Sequence, residues 1–176
     1  AHLVKAEHKS VLTVHKIDAR PEDNPVRVVV DSKCRTPIDA RITNSDAKTI
    51  IAVANEYKDD LKQSEKYETF NKRGVKFFFS GDERVDLVAL MSYLHEEGID
   101  KLMLEGGSTL NFSMIKAGLI DEISICVAPM IVGGANAKTF FDGDGFDTMD
   151  EAVKLELIDS YSLDKDLILK YKVLND

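Results

Sequence analysis

The sequence has few residues that could form disulfides or metal clusters. It has two cysteines, Cys34 and Cys126, which lie far apart in the sequence and lack the spacing of metal ligands or of a redox pair. It also has no tryptophan and only four prolines. We expect both thiols to be buried in a reducing compartment. His2 and His8 lack the spacing of a helical metal pair, so no metal site is predicted. No apolar run is long enough to cross a bilayer and no signal peptide is recognisable, so we expect a cytoplasmic protein.

Basic residues are also in deficit. The chain carries 31 acidic against 23 basic residues, a net charge of −8, with the two signs interspersed. Nucleic-acid binding requires a concentrated basic face, so we expect neither nucleic-acid nor membrane partners. With 176 residues, 44% of them hydrophobic, the chain is long enough to bury a core without a disulfide.

Predicted strands alternate with predicted helices along the chain. Three apolar runs are typical of parallel strands buried on both faces, at residues 26–30, 49–54 and 75–79. Two amphipathic segments predict helices that stop at glycines, at residues 57–72 and 86–97. A further strand and a terminal hairpin are predicted at residues 123–128, 153–158 and 167–174. We therefore predict one α/β domain over residues 1–176, a mostly parallel sheet flanked by helices with an antiparallel C-terminal hairpin.

Residues 101–111, Lys-Leu-Met-Leu-Glu-Gly-Gly-Ser-Thr-Leu-Asn, predict a strand, a tight turn and a helix. Ligands of open α/β sheets bind outside the carboxyl ends of strands, where helix N-termini favour anions, so a dinucleotide pyrophosphate would fit this turn. Gly106 and Gly107 let the backbone approach a phosphate. Ser108 or Thr109 would cap the helix, and Glu105 would lie at the pocket rim. An ordinary glycine turn with a solvated glutamate is the alternative interpretation.

A second candidate site follows the first buried strand, in Asp-Ser-Lys-Cys-Arg-Thr-Pro at residues 31–37. Ser32, Lys33 and Arg35 could hold a phosphate, and arginine offers a bidentate fork. Because arginine at such a position accommodates the 2′-phosphate of NADPH, the loop favours NADPH, with NADH as the alternative. A solvated basic loop would explain the same residues. Residues 129–151, rich in glycine and phenylalanine, predict a long loop that covers a site.

Several stretches together resemble the riboflavin-biosynthesis reductase family, which includes standalone archaeal and fungal reductases and the reductase half of the bacterial deaminase-reductase. They are Leu-Thr-Val-His at 12–15, Pro-Val-Arg-Val-Val-Val-Asp-Ser-Lys-Cys-Arg-Thr-Pro at 25–37, Leu-Glu-Gly-Gly-Ser-Thr-Leu-Asn at 104–111, and Gly-Leu-Ile-Asp-Glu at 118–122 followed by Ala-Pro at 128–129 and Gly-Gly at 133–134. The resemblance implies a dihydrofolate-reductase-like fold, NADPH binding and a homodimer. It also implies reduction of a pyrimidine phosphate's ribosylamino group to ribitylamino.

The resemblance further implies roles for individual residues. Leu12 and His15 fall where the family holds the substrate phosphate. Glu105 matches the acidic residue at the substrate and is the predicted catalytic residue. Together with the arginine argued above, the predicted cofactor-binding residues are Ser32, Arg35, Gly106, Gly107, Ser108, Thr109, Leu110 and Asn111.

We therefore predict an NADPH-dependent reductase acting on 2,5-diamino-6-ribosylamino-4(3H)-pyrimidinone 5′-phosphate. The alternatives are a 5-amino-6-(5-phosphoribosylamino)uracil reductase, a dihydrofolate-reductase-like enzyme acting on a pterin, a non-catalytic nucleotide-binding module and a purely structural dimer. The sequence has no deaminase-type zinc motif, as expected for a standalone reductase. The family's opening strand and helix have no counterpart here. We expect an N-terminally incomplete chain, because a sheet without its first strand leaves edges unpaired.

Overall fold

The computed structural model describes residues 24–134, 136–137 and 139–174. The chain divides into two compact units, with the boundary between Met103 and Leu104. The predicted substrate residues Leu12 and His15 lie outside the described residues.

The first unit is built on a parallel sheet. Its strands are β1 (Arg27–Val30), β2 (Thr49–Val53) and β3 (Lys76–Phe79), in the order β1-β2-β3. Every residue of the central strand β2 is buried, which explains its unbroken sequence Thr-Ile-Ile-Ala-Val. The three predicted parallel strands are thus confirmed, and their carboxyl ends lie at the same edge of the sheet.

Alternate residues of β2 contribute to two different cores. Ile51 packs in a cluster with Phe70, whereas Ile50 packs in another with Leu90 and Leu94. Successive side chains of a strand point to opposite faces, so both faces of this sheet are covered. The sheet is therefore held by apolar contacts on both sides, leaving its carboxyl edge for polar loops.

The described part of the first unit has three α-helices: α1 (Lys58–Lys62), α2 (Glu65–Lys72) and α3 (Leu87–Glu96). The prediction of one helix over residues 57–72 is wrong, because Ser64 adopts an extended conformation and caps α2 by accepting a hydrogen bond from the backbone N–H of Tyr67. Asp86 caps α3 in the same way, accepting from the N–H of Ala89 at 3.0 Å. Two short 3-10 helices, Arg41–Thr43 and Asn55–Tyr57, complete the described part of this unit.

The second unit combines a helix with an antiparallel sheet. Helix α4 (Ser108–Lys116) is followed by β4 (Glu122–Val127), a 3-10 helix (Met149–Glu151), β5 (Lys154–Leu163) and β6 (Asp166–Leu174). The predicted C-terminal hairpin of β5 and β6 is confirmed. Among the described strands, the hairpin pairs with β4 and with no strand of the parallel sheet: β6 runs antiparallel to β4, which gives a three-stranded sheet in the order β4-β6-β5.

Two further predictions are wrong. No regular structure is present over residues 101–104, where a strand was expected. That apolar run is only three residues long, lacks β-branched side chains, and leaves Leu102 and Met103 exposed, so it offers little to a strand. Of the two cysteines, Cys34 is buried as expected but Cys126 is exposed.

No helix among the described residues is long and apolar enough to span a bilayer.

Candidate functional site

The loops at the carboxyl edge of the parallel sheet are joined by hydrogen bonds. We call residues 31–37, which follow β1, the β1 loop. The backbone N–H of Ala54, after β2, donates to the carbonyl of Ser32 at 3.0 Å. After β3, the backbone N–H of Val85 donates to Oγ of Ser32 at 3.2 Å. Ser32 therefore lies where the three loops meet, at the edge where α/β sheets bind ligands.

A buried carboxylate closes the β1 loop. Asp31 is only 2% exposed, and its Oδ2 accepts hydrogen bonds from both the backbone N–H and the hydroxyl of Thr36, at 2.7 and 2.8 Å. The N–H of Cys34 donates to the carbonyl of Asp31 at 2.8 Å. These bonds hold the chain in a turn on which Ser32 is half-buried and Arg35 is exposed.

Cationic side chains gather near this loop although the whole chain is acidic. Lys66 Nζ donates to the carbonyl of Cys34 at 2.8 Å, and Lys33 Nζ lies 5.5 Å from the centre of the Tyr57 ring. Lys58 and Lys62 lie over the ring of Phe79. Contacts of this kind hold ammonium groups against aromatic faces. Lysine side chains are therefore available near this edge to interact with an anionic ligand, alongside the acidic residues Glu56, Asp82 and Glu83 of the neighbouring loops.

The Cys34 thiol is unsuited to nucleophilic chemistry. Burial and, to a lesser extent, the Asp31 carboxylate raise its pKa to about 11, against an opposing effect of Lys66. A thiol with such a pKa stays protonated at neutral pH, and the thiolate is the reactive form. Cys34 is therefore a structural residue of the β1 loop.

In the second unit, the predicted glycine turn and helix start are present. Glu105 is exposed, Gly106 is buried with φ +93°, and α4 begins at Ser108. A Cβ atom on Gly106 would lie 3.3 Å from Nδ2 of Asn111, so both the backbone conformation and the space favour glycine. The N-cap is Gly107 rather than the predicted Ser108 or Thr109, and no side chain caps the helix. The first N–H groups of α4 thus lack a side-chain acceptor.

An aspartate that the sequence analysis missed contacts the start of α4. Ser108 Oγ donates to Oδ2 of Asp142 at 2.6 Å, and the hydroxyl of Thr139 donates to the other carboxylate oxygen. These two hydrogen bonds lower the pKa of Asp142. The carboxylate therefore stays ionised at neutral pH, and a phosphate bound at the N-terminus of α4 would lie beside a negative charge.

The segment 139–146 is held against α4 by further contacts. Asn111 Nδ2 donates to the carbonyl of Phe140 at 2.9 Å, and the rings of Phe112 and Phe146 meet edge to face at 5.4 Å. Asn111 Oδ1 is buried and has no hydrogen-bond partner among the described residues. Part of the long loop predicted at residues 129–151 thus lies against the helix of the glycine turn.

The predicted site residues fall into three groups. Ser32 and Arg35 share the β1 loop of the first unit. The second unit holds the contiguous set Glu105, Gly106, Gly107, Ser108, Thr109, Leu110 and Asn111, the last four in the first turn of α4. Leu12 and His15 lie outside the described residues. No cluster of three metal-ligating side chains occurs within residues 24–134, 136–137 and 139–174.

Three polar residues were missed by the sequence analysis: Asp31, Thr36 and Asp142. Asp31 and Thr36 lie in a segment whose sequence resembles an ordinary polar turn, and the sequence does not indicate that both side chains are buried. For Asp142, the only signal was its place in Asp-Gly-Asp-Gly at residues 142–145, within the segment predicted to cover a site.

Comparison with known sequences places the chain among reductases of riboflavin biosynthesis. A family model for the RibD C-terminal domain matches residues 2–169. The 2,5-diamino-6-ribosylamino-4(3H)-pyrimidinone 5′-phosphate reductase of Methanothermobacter thermautotrophicus is 51% identical over 162 residues, 92% of this chain and 72% of that protein. The Archaeoglobus fulgidus protein of the same name is 44% identical over 125 residues, 71% of this chain and 54% of that protein. The riboflavin biosynthesis protein RibD of Actinobacillus pleuropneumoniae is 40% identical over 155 residues, 86% of this chain and 40% of that protein.

Solved structures with the same fold belong to the same group of proteins. RibD of Acinetobacter baumannii superposes with a TM-score of 0.71 at 24% identity, covering 92% of this chain and 41% of that one. The Saccharomyces cerevisiae riboflavin biosynthesis reductase Rib7 gives a TM-score of 0.63 at 17% identity, covering 86% of this chain and 71% of that one. The predicted α/β fold class is thus confirmed, although its parallel and antiparallel strands form separate sheets among the described residues.

Proposed function

Because this chain belongs to the RibD C-terminal domain family, we propose that it is an NADPH-dependent reductase of riboflavin biosynthesis. The substrate is 2,5-diamino-6-ribosylamino-4(3H)-pyrimidinone 5′-phosphate, and the ribosylamino group is reduced to ribitylamino. The observation that carries this proposal is the 51% identity, across 92% of the chain, with an archaeal reductase named for this substrate. The resemblance identified in the sequence is therefore confirmed at the level of the family.

The residues of the β1 loop fit the adenosine end of NADPH. Arg35 is exposed beside Ser32 at the carboxyl edge of a parallel sheet, and the surrounding cations favour a dianionic 2′-phosphate. Arginine at this place distinguishes NADPH from NADH in dinucleotide-binding folds. We therefore assign Ser32 and Arg35 to the 2′-phosphate.

The glycine turn of the second unit fits a pyrophosphate group. The uncapped N–H groups at the start of α4 suit an anion, and they would have to outweigh the negative charge of Asp142, which accepts a hydrogen bond from Ser108. The buried and unpartnered Oδ1 of Asn111 would accept a hydrogen bond from a ligand hydroxyl or amide. Residues 106–111 are the ones we assign to the cofactor here.

Glu105 is the residue that we place at the substrate. When the ribosyl ring opens, the substrate carries an imine at C1, and NADPH supplies the hydride that reduces it. The Glu105 side chain is exposed directly before the glycine turn. Its carboxylate would stabilise the positive charge of the protonated imine and orient the substrate. Leu12 and His15 stay predicted contacts of the substrate phosphate.

The test is to follow NADPH absorbance with the full chain and three substrates: the diaminopyrimidinone, its deaminated uracil counterpart and dihydrofolate. Substrate-dependent loss with the diaminopyrimidinone is the expected result. Glu105→Gln should lower kcat at least tenfold while the Kd for NADPH stays within twofold, because the glutamate acts on the substrate. Turnover of only the uracil compound or only dihydrofolate would replace the substrate assignment. NADPH binding without any turnover would indicate a non-catalytic nucleotide-binding module.

We also propose that the protein forms a homodimer. Apolar side chains of β5 are exposed, among them Leu157, Tyr161 and Leu163, and such clusters commonly mark protein interfaces. Sedimentation velocity at micromolar concentration should give twice the chain mass, and a monomer there would contradict the proposal. The cytoplasmic location stays a prediction.

A further inference from the structure

The buried carboxylate of Asp31 is unusual in this molecule. Among the described residues it is the one carboxylate that is buried. Burying a charged group is unfavourable unless it is hydrogen-bonded, and both hydrogen bonds to the Asp31 side chain come from Thr36, which is 1% exposed. The other carboxylate oxygen, Oδ1, is buried without a partner among the described residues. The hydrogen bonds between Asp31 and Thr36 therefore join the two ends of the β1 loop.

The conformation of the closed loop is imposed by its surroundings. Cys34 lies at φ +47°, in the left-handed region that non-glycine residues seldom adopt. Its carbonyl is held by Lys66 Nζ, and Ser32 is held by the N–H of Val85. A residue stays in such a region only where the surrounding structure fixes it. Loss of the Asp31–Thr36 contact would therefore let the loop relax.

We infer that Asp31 and Thr36 are positioning residues that set the preference of the enzyme for NADPH over NADH. This inference rests on the proposed function, because it takes Ser32 and Arg35 as the residues that receive the 2′-phosphate. Both lie on the loop between the two partners, so the hydrogen bonds fix their backbone without contact to the cofactor. NADH has no 2′-phosphate and is indifferent to the position of these side chains. A purely structural pair would affect both cofactors alike.

The test compares kcat/KM for NADPH and NADH in the full-length wild type, Thr36→Val and Thr36→Ser. Valine removes the hydroxyl donor and keeps the branched shape, whereas serine keeps the donor. Thr36→Val should lower kcat/KM for NADPH about five- to tenfold, through KM, and leave kcat and the NADH value within twofold. Thr36→Ser should retain the wild-type preference. The matched control is Thr43→Val: Thr43 is 0% exposed and its hydroxyl donates to the carbonyl of Ala40 at 2.8 Å, outside the β1 loop, so the preference should not change.

Asp31→Asn provides a second variant in case Thr36→Val does not fold. The amide oxygen keeps an acceptor for Thr36, but bonds to a charged group are about twice as strong as neutral ones, so we expect a twofold to threefold fall in NADPH preference. Removing a negative charge would by itself favour a bound phosphate, so a fall reports the geometry of the loop. An equal loss for both cofactors, or an unchanged ratio, would overturn the inference.

The wild-type measurement separates this inference from the proposed function. If the wild type turns over the substrate and prefers NADPH, the variants test the positioning role alone. A wild type with no turnover would contradict the proposed enzymatic function, and with it the inference that rests on that function. A wild type that turns over the substrate with no preference between the two cofactors would keep the reductase activity but overturn the assignment of the 2′-phosphate and the role of Asp31 and Thr36.

Discussion

Replacing Gly106 with alanine perturbs the glycine turn at the position where its geometry is most demanding. Gly106 is buried at φ +93°, and an added Cβ atom would meet the amide of Asn111 at 3.3 Å. That amide donates to the carbonyl of Phe140 at 2.9 Å and has little freedom to move away. The variant therefore combines an unfavourable backbone conformation with a crowded contact.

The two effects can be given magnitudes. Holding an L-residue in the left-handed region costs roughly 1–2 kcal/mol. Inserting a methyl group into a packed site adds roughly 1–3 kcal/mol. We therefore expect Gly106→Ala to lower the free energy of unfolding by roughly 2–5 kcal/mol, and to weaken NADPH binding, because the new side chain faces the start of α4.

Gly118→Ala is the matched control. Gly118 also has a positive φ, +67°, but nothing lies within 4 Å of its ideal Cβ position, so only the backbone cost of roughly 1–2 kcal/mol applies. Urea unfolding of both variants, followed by circular dichroism, measures the difference, and fluorescence titration measures NADPH binding. Equal destabilisation by the two substitutions, or NADPH binding that is unaffected in Gly106→Ala, would refute this account of the turn.

Three other outcomes are expected. Arg35→Ala should raise KM for NADPH at least tenfold and change that for NADH less than twofold in steady-state assays, because only NADPH carries the 2′-phosphate; equal weakening would exclude that contact. Iodoacetamide at pH 8 should modify Cys126 faster than Cys34 when followed by mass spectrometry, because the pKa of both thiols is raised but only Cys126 is exposed, whereas Cys34 is buried with a pKa of about 11. Asp142→Asn should destabilise the protein at pH 7 in urea unfolding. Since hydrogen bonding lowers the pKa of Asp142, its stabilising effect is present above the ordinary carboxyl range and is lost progressively as pH falls through the lowered value. A stability difference between variant and wild type that does not shrink as the pH is lowered from 7 into the acid range would contradict this.

The parallel sheet could be predicted because the apolar composition of its strands indicates that they are buried. Residues 49–53 are apolar at nearly every position, and a strand covered on both faces requires that. The split of the predicted helix at Ser64 was harder to predict, because the lysine and glutamate residues on either side favour helix. The serine is a cap only because the chain turns there, and the turn depends on packing of Leu61 and Phe70 in one core.

The strand expected at residues 101–104 shows a different limit. An apolar run of three residues fits a strand locally, but a strand exists only where another strand pairs with it. That pairing is a property of distant parts of the chain. The glycine turn and the start of α4 were predicted correctly next to it, because glycine conformations and helix starts are decided within a few residues.

The polar residues of the candidate site also differ in whether the sequence alone could identify them. Ser32 and Arg35 could be chosen from the sequence because phosphate chemistry favours hydroxyl and guanidinium groups wherever they lie. Asp31 could not, since an aspartate after a strand is normally a solvated turn residue, and its importance comes from a burial that only the folded loop creates. Residues that contact the ligand can be predicted from their chemistry, whereas residues that position them can be identified only from packing. Substitutions at these two kinds of position should therefore have different effects on cofactor binding. We expect Arg35→Ala to remove a contact to the 2′-phosphate, whereas Thr36→Val should leave the side chains of Ser32 and Arg35 in place and change cofactor preference only through the shape of the loop.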